Sequence, residues 1–406
     1  MWLSSLIYDP LTRLFGQIIA IVLVSRLLGL VSRRIAQPMV IAEITAGILL
    51  GPSLLGWLLP EAAGVLFAPE SLGALQLLSQ VGLVLFMFLI GLELDPKLLA
   101  GRARTSVAIS HTSIVVPFAL GAGLAFWLYP RLSDPSVSFT AFTLFLGAAM
   151  SVTAFPVLAR ILSERRLLRT RVGAVTLACA AVDDVTAWCI LAFVVAIARS
   201  TGLAAAGVTT VLSLVYIAAM FLLVRPLLSR LATRVSESEG LSNNAVAVVM
   251  LLLFASAWTT ELIGIHALFG AFLLGAVLPK DGGFAHALAQ KLEDLVLVVL
   301  LPLFFAYSGV RTQLGLLDTA SDWWICGLIV LVASLGKFGG GAAAARLTGL
   351  SWRESGVLGI LMNTRGLMEL IVLNIGLDIG VISPTLFAMM VVMALVTTFL
   401  TSPVLE

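Results

Sequence analysis

Charge is scarce in this sequence. Only 11% of its 406 residues are Asp, Glu, Lys or Arg, against about a quarter in a soluble domain. With 60% hydrophobic residues and a mean hydropathy of +1.10, too little polar surface exists to keep the chain in water. Cysteine is nearly absent as well. Cys179, Cys189 and Cys326 all fall inside apolar runs, without metal-ligand spacing or a disulfide framework. They read as small packing residues. No HExxH and no phosphate-binding glycine loop occurs, and the net charge of +2 is spread over loops. These absences argue against a zinc hydrolase, a nucleotide-driven machine and a nucleic-acid binder. No cofactor is expected. The N-terminus, MWLSSLIYDP, has neither a basic n-region nor a small-residue cleavage site, so it does not read as a signal peptide.

What is present is a series of apolar segments. A spanning helix needs about 20 such residues. Thirteen segments of that kind can be cut, at 12–32, 38–58, 73–94, 105–129, 138–162, 171–198, 205–228, 243–262, 264–279, 292–311, 323–345, 354–377 and 382–403. The expected fold class is therefore an all-α polytopic membrane protein. It forms one transmembrane domain over 1–406, with no extramembrane domain expected. Lys and Arg mark cytoplasmic loops. Arg33 and Arg34, then Lys97, Arg102 and Arg104, then Arg160, Arg165, Arg166, Arg169 and Arg171 follow the first, third and fifth segments. Arg230 and Arg234, Lys280 and Lys291, and Arg346 and Arg353 continue the alternation. It predicts an external N-terminus and a cytoplasmic C-terminus. The membrane expected is a bacterial inner membrane.

The segments repeat. IAEITAGILLG in the second matches IHALFGAFLLG in the ninth. FMFLIGLEL in the third matches FFAYSGVRT in the tenth. LGAAMSVTA in the fifth matches LGILMNTRG in the twelfth, setting Ser151 against Asn363. Each pair is seven segments apart, which inverts its orientation. The pattern predicts a six-plus-six inverted repeat, with halves at about 12–198 and 243–403 and a linking helix at about 205–228. Inverted repeats mark secondary transporters, whose sites lie near the midplane at the repeat interface. The fifth segment carries Ser151 and Thr153 before Pro156; the twelfth carries Asn363, Arg365 and Gly366 at mid-depth. Both are expected to be discontinuous, crossing helices, because irregular backbone in a membrane is tolerated only where it is buried or lines a cavity.

The chemistry concentrates in ACAAVDDVTAWCILAF. Asp183 and Asp184 sit near the middle of the sixth segment. One ionised residue there costs about 2.5–3.5 kcal/mol on insertion scales, and neighbours on a helix point about 100° apart. One acid can face an ion cavity while the other faces a protein partner. A deprotonated carboxylate binds a small cation and a protonated one does not, so competition at one site couples the two fluxes. Ser151, Thr153 and Asn363 would supply neutral oxygens, as hard cations require. Arg311 is expected either to snorkel or to pair with Asp183 or Glu43. Arg365 and Glu369, four apart, can pair with each other, and Arg365 can face helix C-termini at the crossing. Glu93 and Asp95 read as interfacial. The adjacent placement of the two aspartates argues against an intramembrane aspartyl enzyme, whose acids must meet face to face.

QPMVIAEITAGILLGPSLLG, FLIGLELDPKLL, AAVDDVTAWCILA, PLFFAYSGVRT and LMNTRGLMELIVLNIGL resemble the second branch of the monovalent cation/proton antiporter superfamily, on the side of the plant-type cation/H+ exchangers and their bacterial relatives. The resemblance covers nearly the whole chain. It implies a sodium/proton-antiporter-like fold, a homodimer, and a core domain moving as an elevator. It also implies exchange of K+ or Na+ for H+ across the lipid bilayer. Asp184 would carry the cation or proton. Asp183 would pair with a basic residue on the tenth segment, where this chain offers Arg311. Arginine holds its proton in proteins, which argues against release of a second proton there. A sodium-coupled symporter or a channel-like pathway on the same fold are the alternatives.

Overall fold

In a computed structural model, residues 9–35, 37–93, 103–164, 167, 170–199, 203–236, 242–280 and 283–404 are described. Lys97, Arg102, Arg165, Arg166 and Arg169, whose charges enter the orientation, and the interfacial Asp95 lie outside them. The described residues are helical or form short connections. The helices are α1 Pro10–Arg34, α2 Met39–Leu50, α3 Leu72–Glu93, α4 Ala103–Leu132, α5 Phe139–Ser151, α6 Phe155–Glu164, α7 Arg171–Arg199 and α8 Leu203–Ala219. They continue with α9 Asn243–Ile263, α10 Ala267–Val277, α11 Phe284–Leu295, α12 Leu301–Val310, α13 Ala320–Ser334, α14 Gly340–Leu347, α15 Trp352–Met362, α16 Leu367–Asp378 and α17 Pro384–Val404. Among the described residues, ten helical stretches are long and apolar enough to cross a membrane, and α5 and α10 are shorter apolar helices. The chain is a multi-pass integral membrane protein.

Helix ends depart from the hydropathy in informative places. The helical path of α8 runs on through a π turn at Met220–Val224 and a further helix, Arg225–Ser236. That last stretch, RPLLSRLATRVS, is amphipathic, so hydropathy falls away while the helix continues. Further π turns, at Val296–Leu300 and Leu335–Gly339, join α11 to α12 and α13 to α14.

The polarity of α1 shows the solvent. It buries Arg13, Gln17, Ser25 and Ser32 and exposes Leu11, Phe15, Ile19, Leu23, Leu27 and Leu30. In water that arrangement would be inverted. In lipid a polar side chain must turn to the protein for its hydrogen bonds. Gln17 Nε2 accordingly donates to the Leu66 carbonyl at 2.7 Å and to Ser71 Oγ at 3.0 Å. Along α8, Val208, Val211, Leu214 and Val215 are likewise exposed.

The described residues pack as two compact units, one within 1–76, 99–191 and 305–406, the other within 77–98 and 192–304. Each draws on both halves of the sequence. In the first unit α2 crosses α12 with backbones in contact. A Cβ at Gly47 would overlap the Ala306 carbonyl, and one at Gly309 the Ile44 carbonyl. In the second unit α3 crosses α10 in the same way. A Cβ at Gly91 would overlap the Phe272 carbonyl, and one at Gly275 the Phe88 carbonyl. Lys280 closes this second crossing, donating to the carbonyls of Gly91, Leu92 and Gly275 at 2.9, 2.7 and 2.9 Å.

Candidate ion-binding site

Two helix breaks build the site, both in the first unit. The helix α5 ends at Ser151, Val152 takes an extended conformation, and α6 begins at Phe155. Pro156, with no N–H to give, falls in the first turn of α6, where none is needed. On the other side α15 ends at Met362, and α16 begins at Leu367. Gly366, with φ of +154° and ψ of −116°, adopts a conformation open essentially to glycine alone. The breaks meet where the Ala154 N–H donates to the Thr364 carbonyl at 3.1 Å. The freed backbone of the second break is satisfied by α17. Thr398 Oγ1 accepts from the Arg365 N–H at 3.2 Å and itself donates to the Arg365 carbonyl.

Arg365 spans the crossing. Its guanidinium donates to the carbonyls of Ala149 and Met150 at 3.1 and 2.6 Å and pairs with Glu369 at 2.7 Å. Those carbonyls belong to the last turn of α5, where the helix carries partial negative charge. Both side chains are buried.

On α7, Asp183 and Asp184 have opposite surroundings. Asp183 Oδ1 accepts from Ser110 Oγ at 2.5 Å. Its Oδ2 accepts from Ser113 Oγ at 3.1 Å, Thr153 Oγ1 at 2.7 Å and Lys337 Nζ at 2.9 Å. Lys337 also donates to Thr153 Oγ1 at 2.6 Å. Asp183 is thus a carboxylate whose acceptor sites are filled by protein donors. Asp184 is buried just as deeply, yet neither of its oxygens is hydrogen-bonded among the described residues. Its carboxylate lies toward the Phe155 amide at the start of α6.

The other sequence-derived residues divide. Thr153 joins Asp183. Ser151 is buried and turns its hydroxyl to the Ala148 carbonyl at 2.8 Å. Asn363 caps α15, and its Oδ1 has no hydrogen-bond partner among the described residues. Glu43 is buried on α2. Arg311 was expected either to snorkel or to pair with Asp183 or Glu43. It pairs instead with Asp378 at 2.7 Å, donates to Asn374 Oδ1 at 3.0 Å and lies over the rings of Tyr307 and Phe387. The basic partner of Asp183 is Lys337, from the eleventh segment and not the tenth.

Lys337 carried a signal that the sequence argument passed over: a lone ammonium in the middle of an apolar run. The π turn Leu335–Gly339 that holds it has no such signal. Ser110 and Ser113, three apart on α4, resemble any hydroxyl in a membrane helix. Among the described residues, no group of three or more His, Cys, Asp and Glu side chains could hold a resident metal.

The family model described as sodium/hydrogen exchanger, transmembrane, matches residues 19–406. The chain belongs to that family. This exchanger family comprises transporters and not enzymes, which removes the aspartyl-enzyme alternative. The exchanger chain is 45% identical over 396 residues to the Na(+)/H(+) antiporter NhaS4 of Synechocystis sp., covering 97% of each protein. It is 35% identical over 409 residues to the K(+)/H(+) antiporter 1 of Saccharomyces cerevisiae, covering 98% of this chain and 46% of that one. Against that relative and the Arabidopsis thaliana cation/H(+) antiporter 17 it spans about half their length. The solved structure of the sodium proton antiporter MjNhaP1 from Methanocaldococcus jannaschii matches with a TM-score of 0.69 at 17% identity, over 98% of this chain and 97% of that one. The chain therefore shares its fold with MjNhaP1.

Proposed function

We propose that the chain exchanges a monovalent cation, K+ or Na+, for protons, with the two competing for Asp184. One observation carries the reading: a buried carboxylate that makes no hydrogen bond among the described residues and faces only the Phe155 amide, beside a second carboxylate that accepts from Ser110, Ser113, Thr153 and Lys337. Leaving an ionised carboxylate unpaired in a low-dielectric interior costs several kcal/mol. Asp184 is therefore stable here either protonated or with a cation beside it, and the two states exclude each other. Its neighbours provide the rest. Asp183 is held by Lys337 and hydroxyls, leaving Asp184 as the exchanging group. Lysine, unlike arginine, can give up its proton when buried, so Lys337 reopens the release of a second proton that Arg311 had argued against.

The proposed frame is thirteen spans in two inverted halves, forming a homodimer in a bacterial inner membrane with its N-terminus outside. The glycine crossings support the repeat. Under the sequence alignment of the halves, the α2–α12 crossing maps onto the α10–α3 crossing. Gly147 packs against the Phe118 carbonyl as Gly359 packs against the Phe338 carbonyl. An elevator motion of the part holding the breaks and α7 would carry Asp184 between the two sides.

The test is cation-driven proton movement in proteoliposomes with Na+, K+, Li+ and Rb+ supplied separately. Wild type is expected to move protons with Na+ or K+, and Asp184→Asn to lose the exchange. A mutant exchanging as well as wild type would remove Asp184 as the carrier.

A further inference from the structure

A cavity of about 570 Å³ opens where three helices of the first unit end, lined among others by Leu50, Gly51, Val310, Arg311, Gln313 and Leu377. The ends are all C-terminal: α2 stops at Leu50, α12 at Val310 and α16 at Asp378. Helix C-termini carry partial negative charge and favour cations. A fixed cation, Arg311, already stands among them, balanced by Asp378 at 2.7 Å; both side chains are partly exposed.

Polar groups continue inward from this cavity on the same three helices. Arg311 donates to Asn374, and Asn374 Nδ2 donates to Ser308 Oγ at 2.7 Å. Ser308 and Asn374 are both buried. On α2 the buried acid Glu43 precedes Leu50 by seven residues and so shares its stripe. A crevice with only a packing role has no need of a polar side chain on each wall at depth.

We propose that this cavity is the outer mouth of the cation pathway, and that the Arg311–Asp378 pair sets its affinity for the entering cation. The proposal rests on the antiport reading and on the orientation given with it. With the pair intact the mouth is neutral in side-chain charge. Removing Arg311 leaves Asp378 and three helix C-termini, a stronger cation trap. Removing Asp378 leaves an unbalanced guanidinium that repels cations. A role limited to capping the helices would weaken the protein in both variants and favour neither side of the membrane.

The experiment measures the half-saturating cation concentration for exchange in right-side-out and in everted vesicles. In right-side-out vesicles Arg311→Gln should lower it and Asp378→Asn should raise it, each about five- to tenfold for one unit charge at a wet cavity. In everted vesicles both should match wild type. The double variant, with the charge balance restored, should return close to wild type from either side, which separates charge from folding. Equal shifts in both vesicle polarities, or none in the right-side-out ones, would overturn the assignment while wild-type exchange keeps antiport standing. Wild type without exchange would overturn both.

Discussion

The Asp183–Lys337 pair is costly to disturb. Both side chains are fully buried, and each also bonds Thr153. Neutralising one partner strands the other as a buried charge, which destabilises by about 3–5 kcal/mol. Lys337→Gln should therefore lower the thermal midpoint in detergent sharply. Adding Asp183→Asn should recover much of the loss, because two neutral groups can hydrogen-bond in the same place. A single variant as stable as wild type would mean that the pair is solvated and not buried. At this scale, what was legible in the sequence followed one physical rule: an ionisable residue inside an apolar run needs a reason. That rule exposed Asp183, Asp184, Arg365 and Glu369, and applied evenly it would have exposed Lys337 too. It did not find the partner of Arg311, because distance along the sequence does not fix which acid an arginine at a helix end will meet. Ser110 and Ser113 lay beyond it, since a hydroxyl is cheap enough in a membrane helix to need no reason.

Elements were legible where chemistry interrupts the hydropathy. The two breaks announced themselves by polar residues beside Pro156 and Gly366, and both are present in the backbone. The π turns did not, because one extra residue in a helical turn leaves no compositional trace. The glycine crossings lie between these cases. Their motifs were visible, but which helix met which was not. They make a sharp test. A Cβ at Gly309 would run into the α2 backbone, whereas at Gly123 in α4 it would meet nothing within 4 Å. Gly309→Ala should force α2 and α12 apart, at about 1–3 kcal/mol for overpacking. Gly123→Ala should be neutral or stabilising by up to about 1 kcal/mol, through lost backbone freedom in the unfolded chain. Thermal melts of the two variants side by side decide it. Equal behaviour would mean that the α2–α12 contact is looser than the backbone geometry requires.

For the whole molecule, the division into two units drawn from both halves of the chain was invisible to a reading along the sequence, because packing partners come from segments far apart in it. Orientation is the reverse case: the loop charges suggest it. Between Glu70 and Arg230 the chain runs through α3, α4, the broken α5–α6 pair, α7 and α8. If each crosses once, the number of crossings is odd and the two residues face opposite sides. Between Arg230 and Lys291 lie α9 and α10, an even number, so those two share a side. The positive-inside rule then puts Glu70 outside and Arg230 and Lys291 in the cytoplasm. The test begins from a variant with Cys179, Cys189 and Cys326 replaced by serine, so that the introduced thiol is the one that reacts. A membrane-impermeant maleimide applied to intact cells should label Glu70→Cys at once. It should label Arg230→Cys and Lys291→Cys only after permeabilisation. Arg230→Cys and Lys291→Cys on opposite sides would mean that α10, only 11 residues long, enters and leaves by one face, and the inverted-repeat scheme would fall with it. All three reversed together would keep the fold and the repeat but turn the protein over, placing the Arg311–Asp378 cavity at the cytoplasmic mouth.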